Sequence, residues 1–147
     1  MEIRSTSCDD ADFLSLVLLL DADLAEKDGD DHAFYAQFNK PIGLDPLVAY
    51  RDGKAVACGA IKEIQPGVAE VKRMFTLPDY RGQGIATRLL TALEERARAK
   101  GFRECWLETG KKQVDAVALY RKSGYTVIPN YGQYEGVDDS ICFRKEL

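Results

Sequence analysis

Met74-Phe75-Thr76-Leu77-Pro78-Asp79-Tyr80-Arg81-Gly82-Gln83-Gly84-Ile85-Ala86-Thr87 is the stretch that decides how this chain is read. Val68 to Leu77 reads as a strand, Pro78-Asp79-Tyr80 ends it, and Gly82 and Gly84 turn the chain into a helix. The apolar residues Ile85, Leu89, Leu90, Leu93 and Ala97 of that helix recur at helical spacing, and Gly101 terminates it. A strand that runs through glycines directly into a helix makes an anion cradle. Glycine lets the backbone approach a ligand closely, the first-turn N–H groups lack partners inside the helix, and the helix dipole adds partial positive charge, a combination suited to a pyrophosphate. Arg81 can add charge and the Thr87 hydroxyl a donor. An ordinary tight turn is the competing reading. A P-loop would need Gly-Lys-Ser/Thr after its glycines, and Gly84-Ile85-Ala86 stands there instead. A dinucleotide fingerprint needs three spaced glycines after the first strand of a parallel βαβ unit; Gly82, Gly84 and Thr87 supply two, after antiparallel strands.

Upstream, Ile3 to Thr6 reads as a short strand, and a serine or aspartate of Ser7-Cys8-Asp9-Asp10 can cap the helix implied by Phe13, Leu16, Val17 and Leu20. Acidic residues from Asp21 to Asp31 interrupt the pattern, and Phe34, Tyr35 and Phe38 predict a second short helix that stops before Pro41. Leu47 to Tyr50 and Ala55 to Ile61 are strand-like runs joined by Asp52-Gly53, a hairpin signal, and Pro66-Gly67 turns the chain into Val68 to Leu77. Strict alternation along that third strand puts Glu70, Lys72, Met74 and Thr76 on one face and Val71, Arg73, Phe75 and Leu77 on the other. Downstream come a strand at Cys105 to Leu107, a helix from Asp115 to Lys122 ending at Gly124, and strands at Tyr125 to Ile128 and Ser140 to Arg144. The order β-α-α-β-β-β-α-β-α-β-β, without linker or repeat, predicts one α/β (α+β) domain spanning residues 1–147.

The charge of −4 gives no broad positive field, and basic residues are interleaved with acids, so neither nucleic acid nor an anionic membrane is expected as a partner. Cys8, Cys58, Cys105 and Cys142 lack the paired spacing of a zinc or redox site, and the single histidine, His32, is near none of them; no metal is expected. Reduced, buried thiols point to a cytoplasmic location. The apolar run Leu14 to Leu20 is too short to span a bilayer and lacks the flanks of a signal peptide.

Arg81, Gly84 and Ala86, with the Phe75-Thr76-Leu77-Pro78 lead-in, match the Arg/Gln-x-x-Gly-x-Gly/Ala motif of the GNAT superfamily of N-acetyltransferases, which this chain resembles. Ala116, Leu119, Tyr120, Gly124 and Tyr125 match that family's second segment, Asn-x-x-Ala-x-x-Leu-Tyr-x-x-x-Gly-Phe. Gln113 stands where the family often has Asn, Ala86 where many members have Gly, and Tyr125 where Phe is common. Leu107-Glu108-Thr109-Gly110, Gln113, Ile128-Pro129 and Tyr131-Gly132-x-Tyr134 resemble a bacterial subgroup without a defined substrate. The resemblance implies the GNAT fold, a mixed, mainly antiparallel sheet of about six to seven strands flanked by about four helices. It implies acetyl-CoA as co-substrate, held by Phe75, Thr76, Arg81, Gly82, Gln83, Gly84, Ile85, Ala86, Thr87, Gln113 and Tyr120.

Amide formation needs a neutral amine and a proton for the leaving thiolate. By the resemblance, Tyr120 is the proton donor and Glu70 the base; the competing readings are a core aromatic and a salt bridge to Lys72. Glu108 is a second candidate base. Cys105 invites an acyl-cysteine route, but without a nearby histidine it reads as inert core, so direct transfer in a ternary complex is expected. Tyr131 and Tyr134, and Phe34, Tyr35 and Phe38, can line an acceptor pocket, and Lys72, Arg73 or Arg51 can meet an acceptor carboxylate. The expected acceptor is the primary amine of a small metabolite; the alternatives are a protein or peptide amine, or a non-catalytic acyl-CoA-binding module. A homodimer is compatible with all three.

Overall fold

The computed structural model describes residues 1–28 and 43–147; His32, Phe34, Tyr35 and Phe38, and with them the expected second helix, lie outside the described residues. The elements are β1 (Glu2–Ser5), α1 (Ala11–Asp28), β2 (Asp45–Arg51), β3 (Lys54–Gln65), β4 (Val68–Thr76), α2 (Ile85–Ala99), β5 (Glu104–Gly110), α3 (Val114–Lys122), β6 (Thr126–Ile128) and β7 (Ser140–Glu146). They form a mixed α/β structure: a seven-stranded sheet in the order β1-β2-β3-β4-β5-β7-β6, with three helices among the described residues. Every neighbouring pair is antiparallel except β4 with β5. No helix among the described residues is long and apolar enough to cross a membrane.

Local chemistry explains the element boundaries. The Asp10 carboxylate accepts the Phe13 N–H at 2.9 Å, capping α1 as its sequence implies. Asp52 (φ 53°) and Gly53 (φ 80°) both take the left-handed conformation of a two-residue hairpin turn between β2 and β3. Phe13, Leu16 and Leu20 of α1 bury against Val48, Cys58 and Phe75 on one face of the sheet. Ile85, Leu89, Leu90, Leu93 and Ala97 of α2 bury against Ala57, Val71, Leu107 and Phe143 in the other cluster. Each fully buried leucine or isoleucine of these stripes contributes about 1.5–3 kcal/mol relative to exposure. Cys58, Cys105 and Cys142 are free, buried thiols; Cys8 is half-buried.

Two departures from regular pairing shape the centre of the molecule. The first is a bulge. Lys72 stands opposite Ala60 and Phe75 opposite Cys58, so Arg73 and Met74 together face Gly59, and Arg73 takes φ 61°. A Cβ at Gly59 would lie 2.5 Å from Met74 Sδ and 2.8 Å from Leu93 Cδ1; the missing side chain makes room for the bulge. The extra residue inverts the alternation beyond it, which corrects the expectation that Glu70 and Thr76 share a face. Glu70 pairs with Lys62, on the side of Ala60 and Cys58, whereas Thr76 pairs with Ala57, on the α2 side. Arg73 is a buried cation, 6% exposed, whose Nη2 donates to Asp21 of α1 at 2.6 Å; it is not a surface arginine.

The second departure is a splay. β4 and β5 pair only at Val68–Glu104, Ala69–Cys105 and Glu70–Trp106. Beyond Glu70 the two parallel strands part, and a cleft opens between Val71–Thr76 on one side and Glu108–Gly110 on the other.

Candidate active site

The glycine turn lies at the open end of that cleft. Gly82 (φ 77°) and Gly84 (φ 79°) are left-handed, and a Cβ at either would meet nothing within 4 Å. Glycine is needed here for the conformation itself. Gly84 caps α2 without any side-chain bond, and the first carbonyl-accepted turn of the helix is Arg88 N–H to Gly84 C=O at 3.1 Å. Among the described residues, the N–H groups from Gly82 to Thr87 donate to no backbone carbonyl, so they remain for a ligand. Arg81 donates through Nε to the Thr76 carbonyl at 2.9 Å and lies 5.5 Å over the Phe75 ring, which ties the cation to the end of β4. The Gln83 side chain turns away: it bonds to Arg51 and donates to the Asp79 carbonyl at 3.5 Å.

From this turn a cavity of about 830 Å³ runs into the splay. Its walls include Phe75, Thr76, Arg81, Gly82, Gly84, Ile85, Ala86 and Thr87, then Gln113 and Tyr120, and further in Glu70, Glu108 and Tyr134. The expected site residues are thus brought together, apart from the Gln83 side chain. Lys72 and Arg73, offered for an acceptor carboxylate, line it too, whereas Leu20 and Leu24 of α1, and Gly110 and Lys112 at the β5–α3 junction, escaped sequence reasoning. An apolar helical stripe signals burial, but it does not say that one edge of the stripe borders a void.

Acetyl-CoA, which the resemblance implies, can be tested against these walls. Gln113 precedes α3, and its side-chain Nε2 is buried without a partner. A buried amide nitrogen left unpaired costs about 1–3 kcal/mol, so a ligand carbonyl at this place is stabilising. With the free N–H run, the residues present fit a ligand that joins a diphosphate to an amide-bearing arm.

Tyr120 is almost fully buried, its ring 5.8 Å from that of Tyr125 and 6.0 Å from that of Phe143. Burial, and then the nearby Glu108 carboxylate, push its pKa well above the ordinary phenol value. It therefore stays protonated at neutral pH, the state a proton donor requires. Glu108 accepts the Ser140 hydroxyl at 2.6 Å. Glu70, only 4% exposed, faces Lys72 Nζ at 3.4 Å and accepts the Tyr131 hydroxyl at 2.5 Å. The salt bridge read as the alternative for Glu70 is present, and it coexists with a place on the cavity wall. Tyr134 lines the cavity with its pKa raised by burial, then by Glu70 and Glu108; Tyr131 stands behind it. Cys105 is fully buried, its thiol pushed up to about 11 by burial, as expected of inert core. Of the residues offered for an acceptor carboxylate, Arg73 pairs with Asp21, Lys72 with Glu70, and Arg51 with Gln83. Among the described residues no cluster of His, Cys, Asp and Glu could hold a metal ion.

Comparison with known proteins accords with this geometry. The family model described as Acetyltransferase (GNAT) family matches residues 14–125. The IAA acetyltransferase of Azospirillum brasilense is 47% identical over 102 residues, 69% of this chain and 67% of that protein. The aminoalkylphosphonate N-acetyltransferase of Salmonella typhimurium is 31% identical over 84% of each chain. A solved structure from Klebsiella pneumoniae, described as an acyl-CoA N-acyltransferase, superposes with a TM-score of 0.82 at 31% identity, covering 99% of this chain and 97% of that one.

Proposed function

This chain belongs to the GNAT acetyltransferase family and is an acetyl-CoA-dependent N-acetyltransferase; on that footing we propose that it acetylates the primary amine of a small metabolite, by direct transfer in a ternary complex within a single domain spanning residues 1–147. The observation that carries this reading is the continuity of one cavity from the N–H run of Gly82–Thr87 to the carboxylates Glu70 and Glu108, with Tyr120 on its wall. Its volume, about 830 Å³, is within the range of small-molecule sites, which extends to about 1,000 Å³. The relative named for aminoalkylphosphonates supports a small amine as acceptor.

The roles follow from position. The amides of Gly82–Thr87, with Arg81, would bind the diphosphate, and Gln113 would donate to a carbonyl of the ligand's arm. Acetyl-CoA supplies an activated acyl group whose carbonyl is open to attack by a neutral amine. Glu70, on the cavity wall, accepts the proton that an ammonium acceptor must lose; Glu108, already holding the Ser140 hydroxyl, is the second carboxylate within the cleft. Tyr120, kept protonated, donates to the departing sulfur.

The test has two stages. The thermal midpoint of the protein should rise more with acetyl-CoA than with ADP or NADH, which share only its diphosphate end, since a ligand that binds only the native state stabilises it by mass action. Thiol release should then follow addition of members of a panel of amino acids, aminoalkylphosphonates and polyamines. A rise as large with NADH would refute the site assignment. Turnover only with lysine-bearing peptides would refute the small-metabolite acceptor.

A further inference from the structure

We propose that Tyr131 is a positioning residue: it immobilises one oxygen of Glu70 and so presents the other to the acceptor amine, an inference that rests on Glu70 being the proton acceptor. Tyr131 lies outside the cavity wall, behind Glu70, and its hydroxyl donates to Oε2 at 2.5 Å. Lys72 Nζ stands at 3.4 Å from the other oxygen, Oε1. The two oxygens are thus distinguished, one held by a neutral donor from behind and one beside a cation on the cavity wall. A general base needs a fixed direction as well as a lone pair, and the orienting third group supplies it.

The hydroxyl is itself held in place. The Tyr131 ring packs at 5.1 Å from Trp106 of β5 and edge-on at 5.7 Å from Tyr134, so rotating it away from Glu70 would forfeit both contacts. The Tyr131 carbonyl accepts the Tyr134 N–H at 2.9 Å, and Asn130 Nδ2 donates to the carbonyls of Val137 at 3.0 Å and Ser140 at 3.2 Å. The β6–β7 connection is therefore braced at both ends. The second carboxylate is held from the start of β7, where Ser140 Oγ donates to Oε2 of Glu108. The titratable groups that face Glu70 are Lys72 on its own strand, Lys62 opposite on β3, Tyr131 and Tyr134 from the connection, and Cys142 on β7.

A tyrosine that merely packs would alter stability and nothing else; one that holds Glu70 alters turnover without altering cofactor binding. In Tyr131→Phe, kcat with the panel amines should fall about tenfold, the preference that one hydroxyl–carboxylate bond of ordinary strength gives, while KM for acetyl-CoA and the thermal rise it induces stay at the wild-type values. Placing 4-fluorophenylalanine at 131 keeps the ring's size and removes the donor, so kcat should fall alike; this variant carries the test if the phenylalanine variant does not fold. An unchanged kcat in a folded variant overturns the inference. Failure of the parent reading looks different: Glu70→Gln would keep full turnover with the panel amines while the Tyr131 variants still lost it.

Discussion

Replacing Gly84 by alanine separates the two jobs given to the glycine turn. Gly84 has φ 79°, and a Cβ there meets nothing within 4 Å, so the penalty in the free protein is backbone strain alone. A left-handed alanine costs about 1–2 kcal/mol. For a chain of this length that is a fall of about 3–6 °C in thermal midpoint. Acetyl-CoA at 100 times its Kd would raise native stability by about 2.7 kcal/mol, and a tenfold weaker complex at the same concentration would raise it by only about 1.4 kcal/mol. The variant should therefore show a lower midpoint and also a ligand-induced rise cut to about half. Gly101→Ala is the control. Gly101 has φ 92° with the same open surroundings, but it follows the far end of α2, about 22 Å from Gly84 at the helical rise per residue. It should lose stability and keep the full ligand-induced rise. Differential scanning fluorimetry with and without acetyl-CoA reads both quantities. A Gly84→Ala protein that is destabilised yet keeps the full rise would refute the cradle.

Three other outcomes are expected. Tyr120→Phe should lower turnover by about 100-fold while leaving the midpoint rise with acetyl-CoA intact, because general-acid groups contribute about 10²–10⁴ to rate; stopped-flow thiol detection and fluorimetry together check this. Glu94, only 5% exposed, accepts the Tyr125 hydroxyl and Lys145 Nζ, each at 2.9 Å, so Glu94→Gln should cost about 3 kcal/mol in urea unfolding. Asp45 is partly buried, which raises its pKa, but hydrogen bonds and attraction from Arg96 and Lys100 outweigh that and leave it below the ordinary value. A depressed carboxylate contributes stability above its unfolded pKa and loses it as pH falls through its folded pKa. Asp45→Asn should thus cost about 1 kcal/mol at pH 7, and the difference from wild type should vanish in acid, below both values.

The element order was legible because each boundary has a local cause: Asp10 at the α1 cap, Asp52-Gly53 in the hairpin, Gly82 and Gly84 before α2. The glycine turn and the place of Tyr120 on α3 were legible for the same reason, since a continuous stretch or a single helix carries each. The β4 bulge was not. Its left-handed residue is Arg73, a type that gives no turn signal, and its one permissive neighbour, Gly59, lies on another strand. Strict alternation therefore failed at the centre of the site, setting Glu70 and Thr76 on opposite faces. The Glu70–Lys72 pair could be read because two residues on one strand face the same way. Glu70 with Tyr131 could not, since 61 positions separate them and nothing local joins a strand to a distant connection.

The splay has one more consequence, for the behaviour of the protein among other chains. A sheet that ends at a free strand displays a row of unpaired amides and carbonyls, and such a row recruits strands from neighbouring molecules. Here an unpaired stretch of β4, from Val71 onward on the β5 side, lies in the middle of the sheet. α2 and α3 contribute the walls of the cleft over it, and the opening leads in past a glycine turn. A slender extended molecule can lie along that row. The enzyme thus keeps its adhesive edge inside the sheet, away from the rim where strands of other chains are recruited.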